Sequence, residues 1–224
     1  MKEKLSELVF ILDKSGSMSG KEEDTVGSFN STIKEHKDKE YDVLVTSVLF
    51  SDNQTIIHDR VNINEIEPMK VEQFITNGCT ALMDAVGDTI KNIKYIQSHQ
   101  RRKEDIPEHT LFVIITDGME NASHKYSSGD IKKMIEAQKE EGWEFLFLGA
   151  NIDAVETAKI YGIDEHFSAN YINDDVGIKK ANSFASKVAE KMFNLGKGLT
   201  IESCCMDALK EELDEDYSTR SNKK

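Results

Sequence analysis

The sequence predicts an α/β fold, a doubly wound three-layer sandwich with a mostly parallel central sheet. Two apolar runs, residues 9–12 (VFIL) and 111–116 (LFVIIT), each lead into an aspartate. Short apolar runs bounded by turn residues are typical of parallel strands buried on both faces. Segments with helical spacing of apolar residues separate most of the predicted strands. Such alternation predicts a parallel sheet with helices on both faces.

The first half of the chain contributes three predicted strands. The first covers about residues 7–12, and after a polar turn Val26, Phe29 and Ile33 lie at helical spacing. Residues 42–50 (DVLVTSVLF) form the second strand. The third, in residues 54–63, follows after only a short SDNQ turn, so we expect an antiparallel edge strand. Pro68 then precedes a short helix at about residues 71–74.

The second half continues the alternation. A long helix is predicted from Leu82 to about Gln97, followed by the 111–116 strand and a helix with Ile131, Met134 and Ile135 on one face. The remaining predicted elements are a strand at 143–148, a helix at about 151–161, a short strand at 166–169 and a closing helix around 181–192. The predicted architecture is Rossmann-like.

Length and charge limit the organisation and the partners. The 224 residues suit one domain, predicted at 1–193, with a C-terminal extension at 194–224 whose last ten or so residues we expect to be disordered. The formal net charge of −13 argues against nucleic acid or an anionic membrane as the partner. No stretch approaches the roughly 20 apolar residues that span a bilayer.

The cysteines and the N-terminus favour a cytoplasmic, reduced protein. The N-terminal apolar run is too short for a signal peptide, and no typical cleavage site follows it. Cys79, Cys204 and Cys205 are odd in number, and no CxxC or paired-histidine spacing predicts a zinc site. The adjacent Cys204 and Cys205 are interpreted as an inert pair, with a redox or modification site as the alternative.

Three polar loops follow predicted strands or begin helices. They are Asp13-Lys14-Ser15-Gly16-Ser17, Gly78-Cys79-Thr80 and Thr116-Asp117-Gly118. Loops after the carboxyl ends of strands meet at one edge of a doubly wound sheet. Two carboxylates and three hydroxyls would then share a small pocket, and such oxygen donors suit a hard cation.

These loops resemble the metal-ion-dependent adhesion site of the von Willebrand factor type A domain. Its D-x-S-x-S motif matches Asp13, Ser15 and Ser17, its threonine matches Thr80 in GCTAL, and its later aspartate matches Asp117 in ITDGMEN. The resemblance covers about residues 5–193, and the sequence of these segments is most similar to that of small stand-alone bacterial and phage proteins of the family.

The resemblance implies a role for each of these residues. Ser15 and Ser17 would bind Mg²⁺ (or Mn²⁺ or Ca²⁺) directly, and Thr80 would bind it directly or through water. Asp13 and Asp117 would act through water or hydrogen bonds. Neutral hydroxyl ligands leave the charge of the cation incompletely offset, so an acidic residue of a protein partner can complete its coordination.

The leading hypothesis is therefore a non-enzymatic, metal-dependent binding module for a protein partner that offers an Asp or Glu. One alternative is a Mg²⁺-dependent phosphatase or phosphotransferase of the haloacid-dehalogenase-like type, although position 15 is serine where those enzymes carry a second aspartate. Another is a regulatory scaffold with a structural metal.

Simpler interpretations of single residues stay open at this point. Asp13, Ser15 and Ser17 are also ordinary residues for a helix cap or polar turn, and Thr80 for the cap of the following helix. Glu120 and His124 are interpreted as solvated loop residues, with ligand contact as the alternative. Asn151 is interpreted as a helix cap.

Overall fold

The computed structural model describes residues 5–37, 39, 41–196 and 198–221. Its sheet has six strands in the order β3-β2-β1-β4-β5-β6. The strands are β1 Leu5–Asp13, β2 Asp42–Phe50, β3 Gln54–Asn62, β4 His109–Thr116, β5 Trp143–Gly149 and β6 Ser168–Asn170. Only the β2–β3 pairing is antiparallel, and the other four pairings are parallel. The fold class predicted from the sequence is confirmed.

Two helical layers cover the sheet. The helices are α1 Glu22–His36, α2 Leu82–Ser98, α3 Ser128–Glu140, α4 Ala154–Ile160, α5 Asp175–Phe193 and α6 Ser203–Ser221. Side chains of α1, α5 and α6 share a core with one face of the sheet, whereas those of α2, α3 and α4 share a core with the other. Because side chains alternate along a strand, Leu8 and Phe10 of β1 belong to the first core and Val9 and Ile11 to the second.

The chain reverses its direction of travel across the sheet between β1 and β4. From β1 it moves outward to β2 and β3, and then returns to the other side of β1 with β4. Loops at the carboxyl ends of β1 and β4 therefore diverge to opposite faces and leave a crevice between them, which is where such sheets bind ligands. Leu12 pairs with Ile115 in register, so Asp13 and Thr116 leave the sheet side by side.

The C-terminal segment differs from the sequence expectation. Disorder was expected over about the last ten residues, but the described chain is helical up to Ser221, and residues 222–224 lie outside the described part. Met206 and Leu213 of α6 are buried in the core shared with α5. These two apolar residues hold a helix whose other positions are mostly polar or charged, and for that reason the composition alone suggests a disordered end.

Across the residues that the structure describes, no helix has both the length and the apolar character needed to cross a membrane.

Candidate metal centre

The loop after β1 folds tightly around the Asp13 carboxylate. The Ser15 backbone N–H donates to Asp13 Oδ1 at 2.7 Å, and residues Gly16–Met18 then form a single 3-10 turn. The Ser15 and Ser17 hydroxyls lie 3.1 Å apart, so both point to the same side of the turn. Asp13 and Ser15 are buried, whereas Ser17 is exposed. Ser17 therefore lies at the mouth of the site.

Hydrogen bonds tie this loop to the one after β4. The Thr116 hydroxyl donates to Asp13 Oδ2 at 2.6 Å, and the Ser17 hydroxyl donates to Asp117 Oδ1 at 2.6 Å. A continuous path thus runs from Asp13 through Ser15 and Ser17 to Asp117. The two aspartates at the ends of neighbouring strands are thus linked through hydroxyl and backbone N–H groups.

The third loop brings Thr80 to the same place. The Gly16 N–H donates to the Gly78 carbonyl at 3.0 Å, and Thr80 exchanges two hydrogen bonds with Asn121, one from the Thr80 N–H to Asn121 Oδ1 and one from the Asn121 N–H to the Thr80 carbonyl. The Thr80 hydroxyl faces Gly118, where an added Cβ would lie 3.2 Å from Thr80 Oγ1 and 3.5 Å from Ser17 Oγ. A side chain at position 118 would therefore fill the space between these two hydroxyls.

The simpler capping interpretations do not match the contacts. Ser15 makes no side-chain capping hydrogen bond to its turn, and the residue at the N-cap of α2 is Ala81, not Thr80. The Glu120 carboxylate accepts from the Met83 N–H at 2.9 Å, and the Ser123 hydroxyl accepts from the Asp84 N–H at 3.0 Å. The loop after β4 therefore caps α2. The site hydroxyls are thus left available for a different role.

Glu120 and His124 serve the structure of their own loop. Besides the contact to α2, the Glu120 carboxylate accepts from the N–H groups of Ala122 and Ser123, at 2.9 and 2.7 Å. The His124 N–H donates to the Asp84 carboxylate at 2.9 Å. For Glu120 these contacts favour a structural role over ligand contact, and its carboxylate is hydrogen-bonded within the protein, not solvated as expected.

The two site carboxylates are buried next to each other without a basic partner. Burial raises the pKa of Asp13, against the hydrogen bonds from Thr116 and Ser15. Burial also raises the pKa of Asp117, and the charge of Asp13 raises it further. Within the described part of the chain, neither carboxylate forms an ion pair with a lysine, arginine or histidine. The negative charge of this pocket is therefore left for something else to offset.

The donor set fits a divalent cation on these observations. The site consists of oxygen donors only, it is negatively charged, and it opens to solvent at Ser17. Hard cations such as Mg²⁺ prefer carboxylate, hydroxyl and water oxygens. Burial raises the pKa of the nearby Tyr171 well above its usual range, and the charges of Asp117 and Asp13 contribute, which again reflects a negative field.

The structure adds two residues that sequence reasoning missed. Asn173, on the loop after β6, donates through Nδ2 to Asp117 Oδ2 at 2.6 Å. Asn151 has a φ of 56° and donates through Nδ2 to the Asp117 carbonyl at 3.5 Å. The interpretation of Asn151 as a helix cap was wrong, because Asp153 caps α4 by accepting from the Glu156 N–H. Nothing in the sequence near position 173 signals its contact with Asp117.

Comparison with known proteins identifies the family. The family model for the von Willebrand factor type A domain matches residues 7–193. The chain belongs to this family. No curated protein matches the sequence.

Solved structures of this family share the fold at low sequence identity. The von Willebrand factor type A protein from Catenulispora acidiphila has a TM-score of 0.60 and 15% identity, over 82% of this chain and 42% of that one. Proximal thread matrix protein 1 from the mussel byssus, with a zinc occupied MIDAS motif, has a TM-score of 0.57 and 14% identity, over 84% and 46%. The manganese-loaded TRAP protein of Plasmodium vivax has a TM-score of 0.53 and 16% identity, over 77% and 70%. The chain thus spans less than half the length of the mussel and Catenulispora proteins.

Proposed function

We propose that this chain is a binding module that uses one divalent cation to engage an acidic residue of a protein partner. The observation that carries the proposal is the pair of buried aspartates, Asp13 and Asp117, linked through Ser15 and Ser17 and without a basic partner in the described structure. Burying two like charges side by side is costly unless a cation offsets them.

The proposed ligands follow from the positions of the oxygens. Ser15, Ser17 and Thr80 would bind the cation through their hydroxyls, with Ser17 and Thr80 on the two sides of Gly118. Asp13 and Asp117 would orient the hydroxyls and bound waters through hydrogen bonds. Mg²⁺ is the preferred candidate because it keeps several waters and needs few protein ligands. The zinc and manganese held by the two related proteins support a divalent ion.

The surface around the site suits a protein partner. Gly16 and Ser17 are exposed at the mouth, and Met119, two residues after Asp117, is 73% exposed. An exposed methionine next to a charged centre provides apolar contact for a partner whose carboxylate reaches the cation. Neutral hydroxyl ligands leave that cation with positive charge for the incoming carboxylate.

The same contacts support binding over catalysis. Both carboxylate oxygens of Asp13 already accept hydrogen bonds, from the Ser15 N–H and the Thr116 hydroxyl, and its side chain is buried. A phosphatase of the haloacid-dehalogenase-like type needs an accessible aspartate here and an acid two positions later, where this chain has Ser15.

A cytoplasmic setting is part of the proposal. It rests on Cys79, Cys204 and Cys205, which are all free thiols in the described structure. Thiols of this kind persist in a reducing compartment.

The test is a pull-down with the intact chain as bait, in Mg²⁺ and in EDTA, with mass spectrometry of the captured proteins. A partner should be retained in Mg²⁺ and lost in EDTA, and Ser15→Ala should lose it in both. Ser19→Ala, on the same turn but with an exposed side chain, is the matched control and should behave like the wild type. With each variant shown to be folded by circular dichroism, capture of the same proteins by the wild type in EDTA as in Mg²⁺, or by Ser15→Ala as by the wild type in Mg²⁺, would contradict the proposal.

A further inference from the structure

The first turn of α6 carries a second group of metal-ligating side chains. The Glu202 carboxylate and the thiols of Cys204 and Cys205 offer ligand atoms that all lie within 4.8 Å of one another. The Cys204 thiol donates to Glu202 Oε2 at 3.7 Å. Among the described residues, this is the only group of three histidine, cysteine or acidic side chains whose ligand atoms come so close together.

This cluster lies far from the proposed metal centre in the fold. Ile201 and Ser203, on either side of Glu202, line a cavity together with Glu144 and Phe145 from the start of β5. The start of a parallel strand is at the amino end of the sheet, whereas Asp13 and Asp117 are at its carboxyl end. The two groups therefore cannot share one ion.

The backbone holds the three side chains in place. The N–H groups of Cys205 and Met206 both donate to the Glu202 carbonyl, at 2.9 and 3.1 Å, which fixes the first turn of the helix. Ile201 and Met206 are buried and anchor both ends of that turn in the core. Glu202 and Cys204 are exposed and Cys205 is half-buried, so the ligand atoms are accessible to a metal ion in solution.

We propose that Glu202, Cys204 and Cys205 form a zinc site with three protein ligands and a fourth position open to water or to a partner. Two thiolates bound to zinc at about 2.3 Å each lie within about 4.6 Å of each other. The observed spacing thus needs only small side-chain rotations for the three atoms to converge. Thiolates favour Zn²⁺ over the hard Mg²⁺, and the carboxylate oxygen favours Zn²⁺ over softer monovalent copper.

The proposal revises the expectation drawn from cysteine spacing. The sequence lacks CxxC and paired histidines, and the adjacent cysteines were interpreted as an inert pair. Those spacings involve only cysteine and histidine ligands, whereas the third ligand here is Glu202, two residues before Cys204. Binding two thiols to Zn²⁺ releases their protons to solvent, and no oxidant is involved.

The experiment is a Co²⁺ titration of the full-length, reduced chain, followed by absorbance spectroscopy and then by competition with Zn²⁺. The wild type should show a near-ultraviolet sulfur-to-cobalt charge-transfer band and visible bands of a tetrahedral ion, and Zn²⁺ should abolish both. Cys204→Ser should weaken Co²⁺ binding at least about tenfold and reduce the charge-transfer band, and Glu202→Gln should weaken binding while keeping the band.

Two controls separate this site from other sources of binding. Cys79→Ser removes an exposed thiol elsewhere and should leave the spectrum unchanged, as should Ser15→Ala in the proposed metal centre. A wild-type titration without a charge-transfer band would overturn the proposal, and so would a band of equal intensity in Cys204→Ser. Because Cys204 is exposed, its replacement by serine leaves the fold intact for this comparison.

Discussion

Strand β1 contains two buried carboxylates, Glu7 near its start and Asp13 at its end, and the two differ in their partners. Glu7 has a basic partner, since Arg60 Nη1 lies 2.8 Å from Glu7 Oε2, and Gln97 donates to the same oxygen at 2.8 Å. Asp13 accepts from a hydroxyl and a backbone N–H but forms no ion pair in the described structure. A second carboxylate, Asp117, lies beside it instead.

The difference indicates how buried negative charge is offset at each end of β1. At Glu7 an arginine offsets the buried charge in part: burial still raises the pKa of Glu7 from 4.5 to about 6, and its Oε1 accepts no hydrogen bond in the described structure. Two buried carboxylates with hydroxyl partners carry negative charge that the described side chains leave uncompensated, as at Asp13 and Asp117. We therefore expect the pair of Glu7 and Arg60 to stabilise the fold without added metal, whereas the Asp13 end should stabilise it only when a divalent cation is bound.

The largest expected effect comes from Arg60→Met, which removes the charge but keeps most of the apolar stem. Glu7 would stay buried without its cation, and breaking such a pair typically costs about 3–5 kcal/mol. Urea unfolding at pH 8 should show this loss. Asp13→Asn in EDTA is the comparison and should change the free energy of unfolding by no more than about 1 kcal/mol. Equal losses in the two variants would remove the distinction between the two ends of β1.

A smaller effect is expected from Glu144 near the start of β5. Burial raises its pKa from 4.5 to about 7, and in the described structure it forms no ion pair. Because the folded pKa is above the unfolded one, the contribution to stability is present below pH 4.5 and is lost as the pH rises through 7. Between pH 4.5 and 8, the free energy of unfolding of Glu144→Gln should therefore fall by up to about 3 kcal/mol less than that of the wild type. Parallel pH profiles of the two proteins would contradict the assignment.

Added Mg²⁺ should stabilise the wild type through the Asp13 end of the sheet. At about 100 times its dissociation constant, a ligand that binds only the folded state adds about 2.7 kcal/mol to the free energy of unfolding. Ser17→Ala removes the hydroxyl that lies between Ser15 and Asp117 and should lose most of this gain, whereas Ser19→Ala should keep it. Urea unfolding in Mg²⁺ and in EDTA measures the difference, and an undiminished gain in Ser17→Ala would count against the proposed ligand set.

The smallest effect is expected from Asn173→Ala. It removes the hydrogen bond that orients Asp117, and loss of such supporting contacts weakens metal binding by about tenfold or more. Calorimetric titration with Mn²⁺ should detect the change. Asn92→Ala, at a half-buried position in the C-terminal half of α2, is the control with the same substitution. If both variants bind Mn²⁺ equally well, Asn173 does not support the site.

Much of the fold could be predicted because each element has a local signal. The apolar runs of β1 and β4 and the helical spacing in α2 and α5 reflect burial, which the sequence records residue by residue. The antiparallel position of β3 followed from the short turn before it. The C-terminal helix was missed because Met206 and Leu213 are few among charged residues, and their burial depends on α5, which is distant in the sequence.

The candidate site could be predicted only in part. Asp13, Ser15, Ser17, Thr80 and Asp117 stood out because each lies in a short polar loop at a strand or helix end, and the structure brings all five together. Asn173 was missed because it reaches Asp117 only through the path of the loop after β6. The cluster at Glu202 was missed because a single turn of helix, rather than a known spacing, brings its three ligand atoms together.

The most direct test of the central claim, that the two uncompensated aspartates hold a divalent cation, is a Mn²⁺ titration followed by electron paramagnetic resonance. The wild type should bind one Mn²⁺ that Mg²⁺ displaces, and Cys204→Ser should bind it equally well. Asp117→Asn should weaken binding at least about tenfold, because it removes a charge that orients the bound waters. Wild-type affinity and stoichiometry in Asp117→Asn would contradict the account.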